Sequence, residues 1–137
     1  MKFPEKYIIR GEFKLNSGGI SDVFYDVNSL LTDDFYLNHI LKKVPFSKHY
    51  IGIATGGAII AGIASFERMS RFSMIKDKEL KGEKPMVEWL LIDDVVTTDR
   101  SLLEAISLVG SNPQKIFVVV DRRPENKNPE VISIFDP

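Results

Sequence analysis

Leu90-Leu-Ile-Asp-Asp-Val-Val-Thr-Thr-Asp-Arg-Ser101 is an apolar run that drives into paired acids, then a hydroxyl-rich turn, then a helical pattern. It reads as a strand delivering side chains to one edge of a sheet, with a helix starting just beyond. The first N–H groups of a helix are unpaired and carry the positive end of its dipole, so they suit a phosphate. Two adjacent carboxylates before the turn suit the diol of a ribose or a bound cation. The stretch therefore proposes a ribose-phosphate site.

Working outward, the neighbouring segments repeat the pattern. Tyr50-Ile-Gly-Ile-Ala is a short strand, followed by Thr55-Gly-Gly-Ala and then Ile59, Ile60, Ile63 and Phe66 at helical spacing. Glycines in such a turn let a ligand approach backbone N–H groups, although many strand-to-helix turns hold two glycines and bind nothing. Beyond Ser101, Leu102, Leu103, Ile106 and Val109 keep a helical stripe that Gly110 should stop. Lys115-Ile-Phe-Val-Val-Val is nearly continuous in apolar residues, as expected of an interior parallel strand, and Asp121-Arg-Arg-Pro follows it. Further strands are expected at Arg71–Ile75, Met86–Ile92 and Val131–Phe135. A helix is expected over Asp34–Lys43, with Thr32-Asp-Asp as cap candidates, Leu37, Ile40, Leu41 and Val44 as its stripe and Pro45 as its end. The result is an α/β domain with a mostly parallel central sheet flanked by helices. In such sheets ligands gather at the carboxyl ends of strands, and Thr55–Ala58, Asp93–Ser101 and Asp121–Arg123 all fall there.

Residues 12–27 read as a small hairpin, two extended segments joined by Asn16-Ser-Gly-Gly; by pattern alone it covers the core. Lys76 to Pro85 is charged and without period, an exposed loop whose four lysines suit either a polyphosphate or plain solvent. His39 and His49 lack a partner motif and read as surface or half-buried structural residues.

Bulk properties exclude much else. A chain of 137 residues suits one domain over 1–137, with a hood over about 10–28 and a core over about 33–137. Hydrophobic residues are 44% and charged residues 27%, and the net charge of −1 gives no general attraction for nucleic acid or an anionic membrane. No apolar run could span a bilayer, and Met1-Lys-Phe-Pro-Glu-Lys lacks a signal-peptide core. With no cysteine and two histidines, disulfides, thiolate chemistry and Cys- or His-rich metal sites are out, and a cytoplasmic setting is expected.

At this point the residues resemble a family. Leu91-Ile-Asp-Asp-Val-Val-Thr-Thr is similar to the ribose-phosphate motif of type I phosphoribosyltransferases. Gly11-Glu-Phe-Lys-Leu-Asn-Ser-Gly-Gly-Ile-Ser with Phe24-Tyr-Asp resembles the N-terminal hood of the orotate phosphoribosyltransferases. Gly52-Ile-Ala-Thr-Gly-Gly-Ala-Ile-Ile-Ala resembles their pyrophosphate loop, and Val119-Val-Asp-Arg a later strand end. The resemblance implies attack of orotate on C1 of phosphoribosyl pyrophosphate, with Mg2+ held by the substrate rather than directly by the protein, giving orotidine monophosphate and pyrophosphate. It implies that Asp93 and Asp94 hold the ribose hydroxyls. The segment Val95, Val96, Thr97, Thr98, Asp99, Arg100 and Ser101 would surround the 5′-phosphate. Thr55, Gly56 and Gly57 would face pyrophosphate. Phe24, Tyr25 and Arg122 would face the base, and Lys76 is the best positional match to a catalytic-loop cation. It also implies a homodimer.

The departures are informative. Asn16 and Gly19 stand where the family carries a lysine and an arginine. Asp99 and Arg100 follow the threonines where small residues are usual; a carboxylate facing a phosphate costs about 1 kcal/mol in water-like surroundings and more when shielded. Either Asp99 points away, or Arg100 compensates by pairing with it or with the phosphate. The basic loop is short and lacks histidine, and the family's usual terminal helices are not expected here. Three readings follow: an orotate phosphoribosyltransferase with a reduced loop; a catalytically inactive module of the same fold that binds a nucleotide or phosphoribosyl pyrophosphate; and a structural or partner-binding protein.

Overall fold

The computed structural model describes residues 1–15, 18–124 and 128–137, so Asn16 lies outside the described residues. Six strands form one sheet in the order β5-β4-β3-β6-β7-β8. These are β3 (His49–Ile53), β4 (Arg71–Lys76), β5 (Glu79–Lys81), β6 (Leu90–Val96), β7 (Lys115–Asp121) and β8 (Ile132–Phe135). All neighbours pair in parallel except β5, which runs antiparallel to β4. The mostly parallel α/β architecture expected from the sequence is therefore present, with one antiparallel edge.

The two faces of the sheet follow from alternation along the strands up to their carboxyl ends, where Val95 and Val96 depart from it. On one face Leu90 and Ile92 of β6 and Phe117 and Val119 of β7 pack with Ile40 and Leu41 of α2 (Asp34–Lys43) and Ile60, Ala61 and Ala64 of α3 (Gly56–Arg68). On the other, Leu91, Val96, Ile116 and Val118 pack with Leu102, Ala105 and Val109 of α4 (Asp99–Val109) and with Trp89. Helix ends are set locally. Asp33 accepts the Phe35 N–H at 3.1 Å at the start of α2, and Gly110, at φ 90°, closes α4.

A separate two-stranded sheet, β1 (Ile8–Lys14) and β2 (Ile20–Tyr25), forms the hood, with its register shifted between Arg10 and Phe13. Asp26 then caps the short α1 (Val27–Leu30), its carboxylate accepting from the Ser29 N–H at 3.2 Å and hydroxyl at 2.6 Å.

Three local readings differ from expectation. The 76–85 segment is not one open loop: Asp77 and Lys78, at φ 52° and 60°, make a tight turn that folds β5 back on β4. Met86–Trp89 precede β6 rather than belong to it, because strand pairing begins where Leu90 meets Tyr50. His49 is 1% exposed rather than half-buried. Its Nε2 lies 2.8 Å from the Ser73 hydroxyl, which itself donates to the Glu83 carbonyl at 2.7 Å. Nε2 therefore carries the hydrogen and Nδ1 the lone pair, and burial, helped by the Arg71 charge, holds the imidazole pKa below its ordinary value.

Candidate active site

Parallel pairing puts the carboxyl ends of β3, β6 and β7 side by side, and the segments singled out from sequence meet there. The approach of α3 to β6 is the tightest feature. A side chain on Gly57 would overlap the Ile92 carbonyl oxygen and the Asp93 Cα, and one on Gly52 would overlap the backbone of Gly57 and Ala58. Only glycine allows these backbones so close. A Cβ on Gly56 would sit 2.9 Å from the Asp94 Cβ and 3.3 Å from the Asn28 Oδ1. The N-terminus of α3 is thus pressed against the acidic pair. Asn28 joins the site from α1; nothing in its sequence neighbourhood marks it.

Asp93 is 7% exposed and Asp94 half-buried. Asp93 accepts the Asp94 N–H at 2.8 Å, and Asp94 accepts the Val95 N–H at 2.7 Å, so the backbone fixes both carboxylates. Burial first, and the neighbouring Asp94 charge second, push the Asp93 pKa well above the ordinary aspartate value. Among the described residues no three His, Cys, Asp or Glu side chains converge as a metal cage. A pair of carboxylates suits a Mg2+ that arrives on its substrate's phosphates and keeps most of its ligands.

The turn after β6 separates the expected phosphate-facing residues. The Val96 side chain is buried in the α4 core and its carbonyl accepts the Arg122 N–H at 2.8 Å, while Val95 packs toward the opposite face. Thr97 and Thr98 are half-buried; Thr98 precedes α4 without a side-chain cap, and the Ser101 hydroxyl reaches back to the Thr98 carbonyl at 3.4 Å. Asp99 turns to Arg123, whose Nη1 lies 2.9 Å from its Oδ1. Arg100 pairs with Glu104 at 2.9 Å one turn along α4, with 81% of its side chain exposed. Of the two ways to relieve the Asp99 charge, pairing with Arg100 is not the one used.

The two arginines after β7 have opposite fates. Arg122 donates to the Ser21 hydroxyl at 3.0 Å and lies 5.1 Å over the Tyr25 ring, so it ties the hood to the sheet edge. Arg123 is buried. Burial works to lower its pKa, but the hydrogen bonds and charges of Asp121 and Asp99 outweigh it and raise the value. Phe24, 47% exposed, lies 5.6 Å from Phe13 on the hood. Thr55 is exposed at the head of α3, after a cis Ala54–Thr55 peptide. Lys76 ends β4 in solvent, one residue past the Ile75 carbonyl that accepts the Ala54 N–H at 2.8 Å.

Chemically, the strand ends offer an acidic pair between two helix N-termini, with an arginine and an aromatic hood at one side. Comparison with known proteins fits this layout. No family model matches the chain. It is 31% identical over 134 residues to the orotate phosphoribosyltransferase of Sulfurisphaera tokodaii, covering 85% of this chain and 69% of that protein. The crystal structure of orotate phosphoribosyltransferase from Aeropyrum pernix superposes with a TM-score of 0.71 at 27% identity, over 85% of this chain and 76% of that one. Adenine phosphoribosyltransferase from Rhodothermus marinus shares the fold at a TM-score of 0.68 and 16% identity, over 97% and 96% of the two chains.

Proposed function

The chain belongs to the type I phosphoribosyltransferase family, with its strongest resemblance to the orotate branch, and from that premise we propose that it transfers phosphoribosyl from phosphoribosyl pyrophosphate to orotate. The observation that carries the proposal is the contact of the α3 N-terminus with Asp93 and Asp94, one turn before the N-terminus of α4. That arrangement supplies one site for a diol between two sites for phosphate groups, which is the order of groups along phosphoribosyl pyrophosphate.

Asp93 and Asp94 accept from the ribose hydroxyls and fix the sugar. Thr97, Thr98 and Ser101, with the first N–H groups of α4, hold the 5′-phosphate. Thr55 and the N–H groups of Gly56 and Gly57 receive the pyrophosphate, with Lys76 close by as a counter-charge. Substrate-held Mg2+ supplies neutralisation of the departing pyrophosphate. Backbone at Phe24 and Tyr25 and the Arg122 fork hold the base, since a guanidinium can bond both oxygens of a carboxylate. The orotate nitrogen attacks C1 as the C1–O bond to pyrophosphate breaks; pyrophosphate leaves with the bonding pair and takes up the proton that the nitrogen gives up. Orientation and charge stabilisation carry the step without a covalent protein intermediate. Two copies would pair through the apolar face of Ile59 and Phe66 on α3, Met69 just past its end and Phe72 on β4, all exposed.

The test is pyrophosphate release from phosphoribosyl pyrophosphate and Mg2+ with orotate, uracil and purines in parallel. Turnover with orotate, and less with the others, is expected; none with any base at high enzyme concentration overturns the transferase. The tight Asp77–Lys78 turn favours a second reading, a pocket of the same specificity without turnover, because it leaves no long basic segment to close over the substrate. That reading predicts saturable binding of phosphoribosyl pyrophosphate with no product. Under the first reading Arg122→Ala should raise the KM for orotate roughly 10- to 100-fold, the worth of a charged hydrogen bond, with a smaller change in KM for phosphoribosyl pyrophosphate. Equal changes in both would assign Arg122 to the hood's structure instead.

A further inference from the structure

We propose that Arg123 is a positioning residue for phosphate binding: it holds the Asp99 carboxylate away from the seat of the 5′-phosphate. The proposal rests on the phosphoribosyl reading of the β6–α4 turn. Asp99 is the first residue of α4, inside the segment that would surround the phosphate. A carboxylate there is attracted to the same helix N–H groups as the ligand, because both are anions at the positive end of the dipole. Left free, it would repel the phosphate and compete for its donors.

Arg123 is built to prevent this. Its Nε and Nη2 grip the two carboxylate oxygens of Asp121 at 3.0 and 3.1 Å, and its backbone N–H donates to Asp121 Oδ1 at 3.0 Å. Nη1 is divided between the Pro129 carbonyl at 2.7 Å and Asp99 Oδ1 at 2.9 Å. Only 1% of the Arg123 side chain is exposed, against 42% for Asp99. A guanidinium fixed on one side by Asp121 and Pro129 cannot swing out, so the flexible partner, Asp99, comes to it. The fork geometry matters: a single ammonium could face Asp121 but could not also reach Pro129 and Asp99 in these directions. The departure from small residues at position 99 is thereby matched by a second residue, 24 positions later.

A double-mutant cycle on the full chain tests this, reading calorimetric affinity for ribose 5-phosphate together with thermal midpoints. Arg123→Met in the Asp99 protein is expected to weaken binding roughly tenfold, about 1.4 kcal/mol, whereas in the Asp99→Asn protein the same change should cost less than roughly threefold. The loss of thermal stability should be similar in both, because it comes from losing the guanidinium's bonds to Asp121 and Pro129. Rescue of affinity without rescue of stability is what a merely structural arginine would not produce. Equal affinity losses in the two backgrounds overturn the role. If Arg123→Met does not fold, Arg123→Lys keeps a cation beside Asp121 and drops the fork, and the same rescue by Asp99→Asn is expected, with equal losses again overturning it. A silent titration of the unmutated protein overturns instead the phosphoribosyl reading itself, and this role with it.

Discussion

Asp93→Asn should make the ligand-free protein more stable at neutral pH while weakening its hold on phosphoribosyl pyrophosphate. Asp93 is almost wholly buried, and burial together with the Asp94 charge raises its pKa above that of the unfolded chain. The folded protein therefore keeps the proton to higher pH than the unfolded one. Below the ordinary aspartate value of about 4, both states are protonated and the fold meets no penalty. As pH rises through the raised folded value, that advantage is lost, because a charge must be held inside. Asparagine keeps the oxygen that accepts the Asp94 N–H and never ionises. The gain in thermal midpoint over wild type should thus be near zero at the acid end and grow with pH, as scanning calorimetry across the range would show. Affinity should fall roughly 10- to 100-fold, the worth of a charge-assisted hydrogen bond to a ribose hydroxyl. A variant less stable than wild type at neutral pH would contradict the assignment of Asp93 as a carboxylate held at the expense of stability.

Gly57→Ala should be among the most damaging single-atom additions. Its methyl group would overlap the Ile92 carbonyl oxygen and the Asp93 Cα, which are backbone atoms of a central strand and cannot rotate aside. The head of α3 must lift from β6, at about 3 kcal/mol or more, so the thermal midpoint should drop by roughly 10 °C. Activity should fall further than stability, because the same displacement separates the α3 N-terminus from Asp94. Gly62→Ala on the same helix is the control. Its new methyl would meet only the Phe72 ring, at 3.7 Å, an ordinary contact, and alanine's helix preference should raise stability by up to about 1 kcal/mol. If the two substitutions behaved alike, close approach at Gly57 would not be what holds the site.

The elements that build the site were readable because each carries a local signature. β3 and β7 are apolar runs ended by turn or charged residues, and α2 has an aspartate cap and a proline stop. β5 is not readable: Glu79–Lys81 carries one apolar side chain, Leu80, too little to show a period, and it pairs because the Asp77–Lys78 turn lays it on the edge of β4. From sequence β6 reads as starting at Met86, because Met86, Val87 and Trp89 are apolar enough for a strand, whereas pairing begins at Leu90. Trp89 is buried, but as a plug against α4 whose indole N–H donates to Ser111 at 3.0 Å. The same limit applies to the arginines. Asp121-Arg-Arg-Pro does not say which arginine faces the hood. Successive residues leaving a strand point to opposite sides, and only the tertiary fold sends Arg122 to Ser21, 101 positions away, and Arg123 inward to Asp121 and Asp99. The direction of Asp99 likewise stays open in the sequence, because its partner lies on another element.

Two anions near the proposed phosphate seat, Asp94 and Asp99, are thus treated differently: Asp94 is left half-exposed with its backbone bond to Val95, and Asp99 is drawn to Arg123. That division is what a ribose-phosphate pocket needs, carboxylate at the diol and none at the phosphate. Calorimetric titration of phosphoribosyl pyrophosphate with Mg2+ into the wild-type protein and Asp94→Asn tests it most directly. Saturable binding to the wild type, weakened roughly tenfold or more in the variant, is the predicted result. Equal affinity in the two proteins, or no heat in either, would contradict a ribose-phosphate site at the end of β6.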